Sequence, residues 1–177
     1  MVAIKNILLF VATASALTTP LAKRTAAQIL TDISTIDTNV KSLTSSANAY
    51  NGGGISNALK VQQVEQTLEK SITQAGKDAN ATSQLTSADS TKISNAVQSL
   101  IPDIEASIKA IENKKAQFTA DGVKSVVLQD FKTLQSLTDK LADRLITIGS
   151  ADIKTKAKQQ KATIDADFAG GIKFFST

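Results

Sequence analysis

Residues 25–50 read TAAQILTDISTIDTNVKSLTSSANAY. The large apolar side chains stand at Ile29, Ile33, Ile36, Val40 and Leu43, and Ala47 and Tyr50 continue the series. Steps of four and three residues place them all on one stripe of an α-helix. Thr31, Asp32, Ser34, Asp37, Asn39, Lys41 and Ser42 fall between them and suit the wet side. A lone helix cannot bury such a stripe, so the rest of the chain has to cover it.

The same spacing recurs downstream and sets the fold class. Gly52, Gly53 and Gly54 end the first helix in a flexible loop. A second helix from about Ser56 carries Val61, Val64, Leu68, Ile72 and Ala75, with Glu65, Glu69, Lys70 and Lys77 mostly outside the stripe. The small polar stretch 76–87 reads as a loop. A third helix from about Ala88 to Phe118 carries Ile93, Val97, Leu100, Ile104, Ile108, Ile111 and Phe118. Pro102 interrupts it, but the stripe keeps phase, which predicts a kink. The alternative is two helices with Pro102 opening the second, where Asp103 and Glu105 would suit a first turn.

After a tight connection at 119–122, a fourth helix carries Val123, Val127, Phe131, Leu134, Leu137, Leu141, Leu145 and Ile148. Gly149 stops it, and Ser150 is a candidate N-cap for a fifth helix with Ile153, Ala157, Ile164, Phe168, Ile172 and Phe175. Gly170 and Gly171 each weaken its last turns by roughly 1 kcal/mol relative to alanine. No alternating strand pattern of useful length occurs. The predicted architecture is all-α, a five-helix bundle of amphipathic helices with a kinked third helix.

The first residues, MVAIKNILLFVATASA, combine Lys5, an apolar run and a small-x-small site ending at Ala16. Residues 1–16 read as a secretory signal peptide, too short for a permanent transmembrane anchor; an N-terminal core helix is the alternative. Residues 17–24, LTTPLAKR, read as a short pro-segment ending in the dibasic pair Lys23-Arg24, with cleavage after Arg24. An ordinary charged linker is the other reading. The domain proper is then 25–177. Asn80-Ala81-Thr82 is an N-glycosylation sequon, expected on a loop of a secreted chain. The C-terminal FAGGIKFFST lacks the long apolar tail of a lipid-anchor signal. The expected location is extracellular or in a cell wall.

Composition excludes much chemistry. The chain has no Cys and no His, which removes disulfides, Cys/His metal sites and thiol or imidazole nucleophiles. No catalytic, metal or cofactor site is predicted. Without Trp and with one Tyr, a base-stacking nucleic-acid platform is poorly supplied. The formal charge is +4, but loss of Lys5, Lys23 and Arg24 takes the 20 basic residues to 17 against 16 acidic ones. Nucleic acid is therefore not an expected partner.

The segments ILTDISTIDTNVKSL, IPDIEASIKAIENKKAQF, VLQDFKTLQSLTDKLADRLI and TIDADFAGGIKFF, in that order, resemble the fungal hydrophobic surface binding protein A family, which includes the cell-wall galactomannoproteins. The likeness runs from about Thr25 to the end. It implies a small secreted helical bundle without catalytic activity. It implies adsorption to hydrophobic solid surfaces, recruitment of a secreted polyester hydrolase there, and in related wall proteins a fatty acid held in an apolar tunnel. A wall protein would also meet cell wall polysaccharide. The chain departs from the family at Gly149-Ser150, where a proline-containing turn is expected, and in ending on Phe174-Phe175 rather than a lone tyrosine.

With that resemblance, the stripes become candidate lipid or surface contacts: Ile104, Ile108, Phe118, Val127, Phe131, Leu134, Ile164, Phe168 and Phe175. Each can equally be ordinary core. Thr138 and Gln160 intrude on stripes and are candidate head-group contacts, or helix-edge residues. Phe168, Phe174 and Phe175 either cap the bundle or meet oil, wax or a partner. Lys154, Lys156, Lys158 and Lys161 crowd the last helix, to draw in a carboxylate or as a solvated face. The acidic pairs Asp139-Asp143 and Asp165-Asp167 read as surface charge. Two other functions stand beside lipid and surface binding: a structural cell wall mannoprotein, and a carboxylate-dependent hydrolase.

Overall fold

In the computed structural model, residues 25–177 are described; the expected signal peptide ending at Ala16 and the pro-segment ending at Arg24 lie outside the described residues. Among the described residues six helices follow one another: α1 Ala26–Ala49, α2 Ile55–Asn80, α3 Ser87–Glu112, α4 Lys115–Ala120, α5 Lys124–Ile148 and α6 Lys154–Ser176. No β-strand occurs among the described residues.

Local chemistry sets most of the ends. Thr25 caps α1 by accepting from the Gln28 N–H. Gly52, Gly53 and Gly54 all have φ between 78° and 95°, a turn that glycine makes without strain. Thr86 accepts from the Asp89 N–H at 3.1 Å and donates to its carboxylate at 2.9 Å, which closes the start of α3. Arg144 on α5 donates to the carbonyls of Ala79, Asn80 and Thr82, so a distant guanidinium serves as the C-terminal cap of α2.

Three expectations are corrected. The helix expected to reach Phe118 stops at Glu112, and α4 begins anew at Lys115, giving six helices rather than five. Asn113 and Lys114 turn the chain with only a modest change of dihedral, φ −62° and −104°, so no glycine or proline announces the break. Ser150 does not cap the last helix: Ile153 does, and the Ser150 N–H donates instead to Ser90 Oγ at 3.0 Å. The sequon asparagine, expected on a loop, is the last residue of α2. α3 runs through Pro102, so the alternative of two helices meeting there does not hold. Pro102 is solvent-exposed, where water can satisfy the Gln98 carbonyl that loses its helix donor.

The five long helices form a closed ring. α1 packs on α2 and α3, α3 on α6, α6 on α5, and α5 on α2, while α4 leans on α5. α3 and α6 run in the same direction: Ser94 meets Gln160 near their starts, and Ile108 lies against Gly171 near their ends. A Cβ on Gly171 would come within 3.2 Å of Ile108 and Phe131. This glycine, expected only to weaken the helix, lets α6 approach its neighbours closely. Every member of the α1 stripe, Ile29 to Tyr50, is buried. Five helices around one axis cannot easily fill the centre with side chains, and the centre is where the cavity lies.

Candidate functional site

The ring encloses a cavity of about 110 Å³ with walls from α1, α2, α3, α5 and α6. Along α3 its lining runs from Ser90 to Ile111, roughly 30 Å of helix rise. Its lower half is hydrocarbon apart from Ser107: Ile104 and Ile108 from α3, Phe131 and Leu134 from α5, Ile164 and Phe168 from α6. Polar atoms gather at the other end, where α3 and α6 begin. Ser90, Ser94, Lys154, Gln160 and Lys161 line that part, with Thr138 of α5 facing them.

These polar groups differ in what they have left to offer. Gln160 is buried; its Nε2 donates to the Ser94 carbonyl at 2.8 Å and to Gln98 Oε1 at 3.1 Å, and its Oε1 accepts from Ser94 Oγ. Both amide protons are spent on joining α6 to α3, and none remains for a ligand. Lys161 lies between Asp139 at 2.8 Å and Asp165 at 2.9 Å. The Asp139 hydrogen bond first, and the Asp165 bond with it, hold its ammonium charged against burial, and the triad carries net negative charge. Asp139 and Asp165, read as surface charge, stay about a third exposed and hold the lysine that lines the cavity. Lys154, on the first turn of α6, has no acidic partner among the described residues. Thr138 also stands apart. Thr31, Thr35 and Thr38 donate back to the preceding helical turn, whereas the Thr138 hydroxyl makes no such bond among the described residues. Lower down, the buried Ser107 Oγ meets no partner among the described residues.

A second cavity, of about 190 Å³, lies between α2 and α5 and shares Leu43, Ile111, Phe131 and Leu134 with the first. Val127 and Phe118 line it. Ten of the eleven candidate lipid contacts therefore border one cavity or the other. The eleventh, Phe175, is fully buried beside them, its ring 5.6 Å from Phe131 and 6.5 Å from Phe118. Tyr50 extends the cluster by stacking on Phe118 at 4.5 Å. Its hydroxyl donates to Asp121, and burial followed by that carboxylate pushes its pKa up to about 12. Phe168 faces the first cavity, and Phe174 is 43% exposed under the Lys115 ammonium.

Glu65, expected mostly outside the α2 stripe, is buried on the wall of the second cavity. The series Val61, Glu65, Leu68, Ile72, Ala75 keeps the four-three spacing better than one through Val64, which is only half-buried. Asp32 of α1, assigned to the wet side, is likewise buried and accepts from Gln28 Nε2 at 2.9 Å. The spacing was the available signal in Glu65; its charge hid it.

Residues 26–147 match the model of the family described as Hydrophobic surface binding protein A. The chain is 27% identical over 158 residues to Cell wall mannoprotein 1 of Aspergillus flavus, a likeness covering 89% of this chain and 57% of that protein. Cell wall mannoprotein 1 of Aspergillus fumigatus is 27% identical over 157 residues, covering 89% and 54%. The chain thus spans about half the length of these curated relatives. The crystal structure of AFMP4P in complex with palmitic acid has a TM-score of 0.83 at 45% identity, covering 85% of this chain and 99% of that one. Ligand binding domain 2 of the Penicillium marneffei MP1 protein, complexed with multiple arachidonic acids, has a TM-score of 0.80 at 20% identity, covering 88% and 98%; there the likeness is one of fold.

Proposed function

The chain belongs to the hydrophobic surface binding protein A family, and on that premise we propose that it is a non-enzymatic protein of the fungal exterior or cell wall that holds a fatty acid in the central cavity. The observation that carries this reading is the cavity's asymmetry: hydrocarbon walls along α3, α5 and α6, and polar groups at one end. The acyl chain lies between Ile104, Ile108, Leu134 and Ile164, and its carboxylate turns toward Lys154 and Thr138. Each buried methylene is worth about 0.8 kcal/mol, so 16 carbons gain roughly 12 kcal/mol gross, of which association takes back a large part. Taking up a whole chain requires the ring to widen. Helices joined mainly by apolar side chains, with no disulfide, can shift in this way.

Adsorption to hydrophobic solids uses a different set of groups. Ile55, Leu59, Val126 and Phe174 are the large apolar side chains that stand exposed among the described residues. Recruitment of a secreted polyester hydrolase would need a different face of the bundle, since adsorption covers this one. The test is protein purified from culture fluid: organic extraction followed by mass spectrometry should yield fatty acid, and the protein should deplete from solution onto polyester film. No extractable or exchangeable lipid, with no adsorption, overturns the proposal.

A structural role in the wall is the second reading. It is favoured by the exposure of Asn80 at the end of α2, where a glycan can project without disturbing the ring. Retention in purified wall that is lost on Asn80→Gln would support it over lipid carriage.

A further inference from the structure

The two cavities differ in the charge that faces them. Lys154 and Lys161 border the first; among the described residues no lysine or arginine borders the second, whose polar lining is Gln62, Glu65 and Asp130. Its mouth is apolar and exposed: Ile55 is 61% accessible, Leu59 47% and Val126 37%. Inside, Glu65 is only 5% exposed, and its Oε1 meets no hydrogen-bond donor among the described residues. A buried acceptor without a donor is costly, and water-sized space beside it invites a group that can donate.

The charges acting on Glu65 are both negative, Asp130 across the cleft on α5 and Glu69 one turn along α2. A fatty carboxylate brought here would add a third like charge in a poorly solvated place. A positive donor would both fill the unmet acceptor and relieve the repulsion. A metal ion does not fit, since no group of three or more carboxylates is placed to hold one among the described residues. The walls ask for hydrocarbon. We propose that the second cavity binds an amphiphile with an apolar body and an ammonium head, and that Glu65 receives the head.

Protonation agrees with this geometry and adds a signature. Burial first, then Asp130 and Glu69, push the Glu65 pKa up to about 9, and burial with Glu69 pushes Asp130 up to about 6. Glu65 is therefore neutral at pH 7, and an arriving ammonium ionises it. Uptake releases a proton, so affinity rises with pH across the range from about 6 to 9, in which a primary alkylamine stays protonated.

The experiment is calorimetric titration of the whole protein with dodecylamine, dodecanol and dodecanoate, each below its aggregation concentration. The amine should bind about tenfold more tightly than the alcohol, the size of effect expected for one partly buried charge pair. Titration in buffers of different ionisation enthalpy should show about one proton released per amine. Glu65→Gln and Asp130→Asn should each weaken the amine and leave the alcohol unchanged. The proposal is overturned if the amine binds no better than the alcohol, or if it binds without proton release; dodecanoate, which the first cavity takes up, reports on that cavity. It is equally overturned if both folded variants bind the amine as the wild type does. These outcomes are independent of whether palmitate occupies the first cavity.

Discussion

Gln160 and Lys154 show how far a residue's chemistry depends on its neighbours. Gln160 was legible as a polar intruder on an apolar stripe, but its donors are consumed by Ser94 and Gln98. No one-dimensional pattern reveals that, because the partners lie more than sixty positions away. Lys154 was one of four lysines on one helix, and only the fold separates it from Lys161, which two carboxylates already hold. The account therefore predicts that Lys154→Ala weakens palmitate binding about three- to tenfold, within the range of a partly exposed ion pair. Lys158→Ala, on the exposed side of α6, should leave it unchanged. A fluorescent fatty-acid displacement assay on both variants reads the difference. Equal effects would assign the lysines a diffuse electrostatic role instead.

At the scale of elements, the apolar periodicity was sufficient for the long helices. The stripe from Ile29 to Tyr50 is buried throughout, and Val127, Phe131, Leu134, Leu141 and Ile148 form the inner face of α5. Boundaries were less legible. The break at Asn113 and Lys114 needs no special residue, and the extension of α2 to Asn80 depends on Arg144, far along the chain, accepting the task of its cap. Pro102 was visible, and its tolerance follows from its exposed place on α3. Pro102→Ala restores a helix N–H to the Gln98 carbonyl and should stabilise the fold by about 1–3 kcal/mol. Thermal unfolding would read this as a rise in Tm of several degrees. An unchanged or lower Tm would mean that packing at Ile101 and Ile104 depends on the geometry the proline imposes.

At the scale of the whole molecule, the ring itself was not legible. Stripes state which faces are apolar, but not that each long helix takes two neighbours and leaves the axis unfilled. Nor do they show the second cavity, whose acid was masked by its own charge. That acid should leave a mark on global stability. Folded protein keeps the Glu65 proton to about pH 9, whereas an unfolded chain releases it near 4.3. Between those values the folded state binds more protons, so stability falls as pH rises. Tm should decline from about pH 5 to about pH 9, and Glu65→Gln should show a shallower decline and the higher Tm at the alkaline end.

The central claim is that hydrocarbon enters the space enclosed by the ring. Native mass spectrometry of delipidated protein mixed with palmitate tests it most directly, with Ile104→Trp as the variant that fills the cavity wall. The account predicts a palmitate adduct on the wild type that is lost or strongly reduced in folded Ile104→Trp. No adduct on the wild type, or an adduct that persists undiminished when the cavity is filled, would contradict it.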